Sequence, residues 1–462
     1  MMRNFRLCCA GFLFIGLILI VFCKPNKPDS PVRDFSQIVD SGEINVLTLS
    51  GSMSYFIYKG EKMGYQYELI KDFADANHLR LNLIPAANEI KLRKMLEEGT
   101  GDLIAYNVPV TAEGKEKFLY CGHETINEQV IVQRSDKKDT ILKDVTELIG
   151  KEIWVIHNSR HYNRLINLNN ELGGGINIRI VEEDTISVED LIERVSDGKI
   201  PYTVSNWDMA RLNKTYHANI NISLKISHPQ RSAWAVRKNT PALAQAIDEW
   251  FENKANTHKY KAVIKRYFEM SKLPGDAPAP IIGSTGISPF DTLFRQYAAQ
   301  IPWDWRLMAS ISYEESKFYT DRVSWAGATG LMGLMPKTAR SFGLEPEDAL
   351  DPEASIRAAT ALIKRINQSF SFIRDENERI KFVVASYNAG AGHISDVMAL
   401  AEKYGKNPEV WENNVEEYLK LKQLPEYYND PVCKYGYFRG NETFSYVRAV
   451  MERWHYYREK VK

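Results

Sequence analysis

Two adjacent glutamates, Glu314 and Glu315, stand in the segment Ile311-Ser-Tyr-Glu-Glu-Ser-Lys-Phe318, and Gly327-Ala-Thr-Gly-Leu-Met-Gly-Leu-Met-Pro-Lys-Thr-Ala339 follows them. Leu307, Met308, Ile311 and Phe318 form an apolar stripe at helical spacing. At ~100° per residue, Glu315 lies roughly 40° from the centre of that stripe and Glu314 about 60° away. A carboxyl set against an apolar surface has its charged form disfavoured, so it can hold a proton near neutral pH and donate it to a leaving oxygen. Two glutamates that merely solvate a helix end fit the same wheel, and this segment alone does not choose.

Other residues of useful type lie further along. Gly327 and Gly330 bracket a turn where bare backbone can approach a ligand, although turn glycines before a helix read the same way. Tyr387 and Asn388 sit at a helix end before Gly390, where an amide and a phenol can project into a cleft. Glu442 and Tyr446 are four residues apart on a later helix. The histidines, His393 included, are scattered without ligand-like spacing, so neither a metal nor a cofactor is expected.

The elements that must position these groups fall into two units. From Pro289 onward the pattern is nearly all helical, with expected helices at 289–299, 305–317, 336–341, 352–368, 380–387, 394–404, 410–419 and 443–457. Asp351-Pro352 supplies an N-cap before a proline at the first helical position, and Gly343 and Gly390 stand just past helix ends. Ahead of it, residues 41–270 alternate short strands (44–49, 81–84, 102–105, 153–156, 178–181, 202–204) with helical stretches (65–77, 92–98, 188–195), the signature of an α/β unit whose two similar halves follow one another. Between the units, Ser271–Pro280 holds three prolines and one glycine in ten residues, and 271–288 reads as an extended linker.

A chain of 462 residues with 44% hydrophobic and 26% charged residues is a multidomain globular protein. Lys+Arg and Asp+Glu both number 59, so the basic footprint of a nucleic-acid binder is missing and no nucleic-acid partner is expected. Residues 1–23 differ in kind: Arg3 and Arg6 precede an apolar run from Leu7 to Cys23, followed by a polar, Pro-rich tether at 24–40. That reads as an export signal, and Cys23 at its end resembles the lipid-attachment cysteine of bacterial lipoproteins. An uncleaved membrane anchor fits the same residues. Cys121 and Cys433, the cysteines beyond the signal, fall in different units and support no disulfide framework.

Motifs at five separated places, in order, resemble the soluble-lytic-transglycosylase family, a branch of the lysozyme-like fold. Glu315-Ser316 looks like its catalytic pair; Gly327–Met332 with Met335-Pro336 and Thr338-Ala339 looks like its second motif. Leu350-Asp-Pro352 with Ile356-Arg-Ala-Ala359 matches the next helix, and Tyr387-Asn-Ala-Gly390 and Glu442-Thr443 with Tyr446-Val447 match the last two. Gly333 departs from the pattern, since many relatives carry a sugar-contacting Gln there. The resemblance implies an enzyme that cuts peptidoglycan between N-acetylmuramic acid and N-acetylglucosamine. Glu315 would act first as acid and then as base, Ser316, Gly327, Gly330, Met332, Tyr387, Asn388, Glu442 and Tyr446 would form the substrate cleft, and 1,6-anhydro ends would result without a second carboxylate, in wall remodelling or turnover.

The first unit resembles family-3 solute-binding proteins through Gly64-Tyr-Gln-Tyr-Glu-Leu69, Leu96-Glu-Glu-Gly99 with Gly101-Asp-Leu103, and Thr111. This implies two lobes around a ligand cleft, with Tyr55, Thr111 and Asn206 as candidate contacts to a small or wall-derived ligand. The Arg after the Thr and the later Asp of amino-acid binders are absent, the stretches reading Thr111-Ala-Glu-Gly-Lys115 and Val204-Ser-Asn206, so zwitterion capture is not expected. The unit is either a ligand-sensing regulator or a spacer. The expected whole is an envelope enzyme on the periplasmic side, anchored in a membrane, most simply the outer one. The alternatives are a non-catalytic ligand sensor whose lysozyme-like unit only binds glycan, and a hydrolytic lysozyme.

Overall fold

The computed structural model describes residues 33–182, 186–272 and 286–461. The expected export signal with Cys23, the start of the expected tether and most of the Pro-rich linker lie outside them. Among the described residues no helix is long and apolar enough to cross a membrane. The expected tether gives way to structure earlier than residue 41: Phe35–Ser41 is a helix with an Asp34/Gln37 capping box, and it buries Ile38 in the first domain.

Twelve strands among the described residues build the N-terminal domain: β1 Glu43–Leu49, β2 Phe56–Tyr58, β3 Glu61–Met63, β4 Arg80–Ala86, β5 Leu103–Pro109, β6 Phe118–Asn127, β7 Gln129–Arg134, β8 Glu152–Ile156, β9 Asn177–Val181, β10 Tyr202–Asn206, β11 Ile220–Asn221 and β12 Gln230–Arg237. They form a sheet ordered β4-β1-β5-β12-β6, a second ordered β11-β7-β10-β8-β9, and the small β2-β3 hairpin. In the first sheet β1 runs parallel to β4 and β5, and Ile44, Val46 and Leu47 are fully buried. Helices cover both faces, so such strands read as apolar runs rather than alternating ones.

The two halves do not simply follow one another. The chain leaves the first lobe after β6, builds the second sheet from β7 to β11, and returns to lay β12 antiparallel between β5 and β6. Two crossings therefore join the lobes. Sequence periodicity missed β6, β7 and β12 because antiparallel returns are set by pairing partners far away in the chain.

The C-terminal domain packs helices around one apolar core in which Leu307, Met308, Ile311, Leu331, Met332, Val383, Val384, Val447 and Val450 are buried. The expected helices appear, some with longer ends, such as Pro352–Ser369 and Gly440–Lys460. Asp351 caps the former by accepting from the Ala354 N–H at 2.8 Å. The stretch expected as one helix at 410–419 is instead an irregular turn, Trp411–Val415, followed by Glu416–Leu421, with Asn413 left-handed at φ 57°. The two domains share apolar surface: Trp325, Ala326, Ala328 and Met335 of the second pack into the core of the first, where Trp325 meets Tyr58, Tyr216 and Tyr267.

Candidate functional site

The helix Trp305–Ser316 begins at Asp304, whose carboxylate accepts from the Arg306 N–H at 3.0 Å, and stops at Lys317 and Phe318, both left-handed (φ 57° and 65°). Such positions cost of order 1–3 kcal/mol each and persist where the surroundings over-determine them. Here the surroundings are hydrogen bonds. The Ser316 hydroxyl donates to the Leu331 carbonyl at 2.7 Å and Tyr387 O–H donates to the Met332 carbonyl at 2.7 Å, pinning the glycine-rich turn beneath the helix end. Gly330 is required there, because a Cβ would run into the Ala349 carbonyl and φ is +78°.

Glu315 emerges from this frame with its side chain 7% exposed. Tyr446 O–H donates to Oε1 at 2.9 Å. Burial, reinforced by the Glu315 charge, pushes the Tyr446 phenol well above its ordinary pKa, so it stays a donor. Glu314 points elsewhere, paired with Arg453 and with Lys317, so the two adjacent glutamates stand in different surroundings. The apolar setting expected for Glu315 is replaced by an ion pair. Lys59 of the N-terminal domain donates from Nζ to Oε1 at 2.9 Å and to Oε2 at 2.7 Å, with its own side chain 8% exposed.

Lys59 reaches the site from the tip of the β2-β3 hairpin, where Lys59 and Gly60 (φ 49° and 80°) make the tight left-handed turn that suits the strand twist. The hairpin is clamped on its far side. His393 Nε2 lies 3.0 Å from the Ile57 carbonyl, and its Nδ1 lies 2.8 Å from Nζ of the buried Lys422, which pairs with Asp396 at 2.8 Å. Burial, with Lys422 adding to it, drives the His393 pKa well below its usual value, so the ring is neutral and its Nε2–H is the donor to the hairpin. Gly390 admits the hairpin because a Cβ there would stand 2.8 Å from the Gly60 nitrogen.

The remaining expected residues divide by surroundings. Asn388 accepts from the Thr443 hydroxyl at 2.7 Å and, with Glu442, lines a crevice shared with Tyr58, Lys59 and Trp325. Gly327 (φ +88°) sits at the turn, where a Cβ would meet Pro336 at 3.8 Å. Ser316 and Met332 are fully buried, so they offer no surface to a sugar and act by holding the turn. Tyr387, 5% exposed, does the same through its hydroxyl.

In the N-terminal domain a cavity of about 860 Å³ lies between the lobes. Thr111 and Asn206 line it, the first capping the helix Ala112–Lys117 and the second held by His161 Nε2 at 3.3 Å. Tyr55 does not line it; from the loop before the hairpin its ring packs on Tyr67 of the helix Tyr65–Ala76. Arg93, Arg160, Glu89 and Glu189 also line the cavity, so its charges come from positions that motif comparison does not mark. Glu89 Oε1 and Gln129 Oε1 are buried there with no hydrogen-bond partner among the described residues, leaving acceptors on the wall.

A model of the Transglycosylase SLT domain matches residues 292–410, and one of bacterial extracellular solute-binding proteins, family 3, matches residues 44–270. Over 425 residues, covering 90% of each chain, the sequence is 30% identical to a membrane-bound lytic murein transglycosylase F of Desulfosudis oleivorans. The chain belongs to the membrane-bound lytic murein transglycosylase F family. A Pseudomonas putida transglycosylase of that name is 27% identical over 449 residues, 96% of this chain and 90% of that one. Among solved structures, an arginine-bound amino-acid transporter substrate-binding protein from Streptococcus pneumoniae covers 52% of this chain at 17% identity with a TM-score of 0.44.

The transglycosylase match ends at residue 410, yet Tyr446, which touches Glu315, lies beyond it in the same helical domain. Sequence reasoning overlooked Lys59, Arg160, Glu189 and Arg439. Only Lys59 had a local signal, the Lys-Gly pair between two short alternating runs that marks a two-residue hairpin.

Proposed function

We propose that this protein cuts peptidoglycan glycan strands between N-acetylmuramic acid and N-acetylglucosamine, leaving 1,6-anhydro ends, and that its N-terminal domain holds the reaction off until a small ligand occupies the interlobe cavity. The observation that carries the proposal is the clasp on Glu315: Tyr446 from its own domain and Lys59 from the other. A general acid must present a proton to the glycosidic oxygen. With Lys59 in place both carboxylate oxygens are acceptors, and the ammonium occupies the approach.

Once Lys59 withdraws, the Glu315 carboxylate takes up a proton from solvent and gives it to the linking oxygen. The C1–O bond breaks with its electron pair going to that oxygen. The muramic C6 hydroxyl attacks C1 and returns its proton to Glu315. The nucleophile is part of the substrate and already held close, so no second protein carboxylate is needed. Tyr446 keeps the carboxylate oriented through both steps, while Asn388 and Glu442 line the groove for the sugars. The acceptors on the cavity wall suit a small ligand that brings hydrogen-bond donors. The same reading places the enzyme on the periplasmic side of the envelope, tethered at the membrane through its first residues, where it serves wall remodelling or turnover.

The test is mass spectrometry of products from purified peptidoglycan treated with detergent-solubilised full chain, its Glu315→Gln variant and its Lys59→Ala variant. Expected are anhydro-muramyl ends from the native chain, none from Glu315→Gln, and about tenfold faster release from Lys59→Ala, the effect of a lock worth ~1.4 kcal/mol. Reducing ends would make the enzyme a hydrolase. No cleavage by either the native chain or Lys59→Ala would leave a glycan-binding sensor.

A further inference from the structure

The cavity and the clasp are joined by one carboxylate. Glu189, at the start of the helix Val188–Ser196 in the second lobe, lines the interlobe cavity and is buried. Across the cleft it accepts from the Ser52 N–H at 3.0 Å and from the Ser52 hydroxyl. From the catalytic domain it accepts from Tyr437 O–H and from Arg439 Nη2, each at 3.2 Å. Arg439 also donates to the Ser52 hydroxyl at 3.0 Å and to Asn213 at 2.9 Å, and lies over the Tyr216 ring at 3.6 Å. Three separate bodies, the two lobes and the catalytic domain, thus meet at Glu189.

Both chain segments it grips lead to Glu315. Ser52 lies seven residues before Lys59, and the chain between them is short and hydrogen-bonded: Gly51 N–H bonds the Tyr55 carbonyl at 3.0 Å, and Phe56 begins β2. Arg439 immediately precedes the helix Gly440–Lys460, which carries Tyr446. Gly51 fits tightly here, since a Cβ would stand 3.0 Å from Glu189 Oε1. A buried carboxylate that loses its cation or its donors is strongly disfavoured, so the junction holds as a unit or opens as a unit.

We propose that Glu189 is a positioning residue that relays occupancy of the interlobe cavity to the hairpin: a ligand that takes its carboxylate releases Ser52, and the hairpin withdraws Lys59 from Glu315. This rests on the regulated-transglycosylase reading above. Glu189 touches neither sugar nor reacting atoms and acts only through the lock.

The experiment compares full-length native chain, Glu189→Gln, Lys59→Ala and the double variant for anhydro-product release from purified peptidoglycan without added ligand. Labelling of Lys59 by acetic anhydride, read by mass spectrometry, accompanies the rates. Glu189→Gln is expected to raise the rate about fivefold and to speed Lys59 labelling, while the double variant matches Lys59→Ala, because two changes acting through one contact do not add. Ser52→Ala, a smaller change at the same junction, is expected to move both readouts in the same direction and decides the matter if Glu189→Gln does not fold. If Lys59→Ala is faster but Glu189→Gln and Ser52→Ala are not, or if the gains add in the double variant, the relay is wrong and the lock stands. If Lys59→Ala itself is no faster, the lock fails and the relay with it.

Discussion

Gly333 shows how narrowly the position of one carboxylate is set. Its φ of +60° is left-handed, and a Cβ would overlap Glu315 Oε2 and stand 3.0 Å from the Glu315 Cβ. The absence of a side chain, noted in the sequence as a missing sugar contact, therefore makes room for Glu315, the proposed acid. Gly333→Ala must either move Glu315 or strain the turn, and misplacing a catalytic group by about 1 Å can cost ~100-fold in rate. In the Lys59→Ala background, so that the lock does not intervene, Gly333→Ala is expected to slow product release about 10- to 100-fold. It should also cost about 1 kcal/mol of stability from the backbone alone, checked by initial rates and urea unfolding.

At the scale of elements, the β2-β3 hairpin is held by a polar cluster in the helical domain rather than by apolar packing alone. Lys422 on the Glu416–Leu421 segment's C-cap has no exposed surface; it holds Asp396 and His393 of the helix Ala391–Lys403, and His393 holds the Ile57 carbonyl. Asp396 also accepts from the backbone of Lys434 and Tyr435. Lys422→Met keeps the volume but leaves the Asp396 carboxylate buried without its cation, which typically costs ~3–5 kcal/mol. The expected outcome is a fall in denaturation midpoint without a change in the denaturant slope, measured by urea unfolding. The same clamp explains why the hairpin, though only two three-residue strands, is ordered: isolated hairpins of that size are marginal in water.

At the scale of the whole molecule, the interface between the domains carries a pH dependence. Asp190 accepts from Gln423 of the catalytic domain at 3.2 Å and from Ser187, with Glu189 and Glu193 beside it. Burial, only partly offset by the Ser187 hydrogen bonds and reinforced by those two carboxylates, pushes its pKa up to about 7. A carboxyl whose folded pKa is raised keeps its proton after the unfolded chain has lost it. The associated stability is present below about pH 4 and lost as the pH rises through about 7. Thermal melts of native chain and Asp190→Asn across that window should show the native chain losing stability relative to the variant as pH rises; parallel curves would place the Asp190 pKa near its ordinary value.

The sequence by itself determined what depends on neighbours along the chain. Apolar periodicity placed the helix that bears Glu315, Asp351-Pro352 and Gly390 marked helix ends, and the ordered motifs pointed to the enzyme family, because side-chain spacing and the backbone limits of glycine and proline are local properties. What only the tertiary structure decided are contacts across long separations. Lys59 and Glu315 are 256 positions apart, Ser52 and Glu189 are 137 apart, and β12 finds its place between strands laid down more than a hundred residues earlier. Thr111 and Asn206 share a cavity while Tyr55 misses it, for the same reason. Which ionic groups meet is fixed by how the lobes and domains close on one another, and no local pattern records that closure.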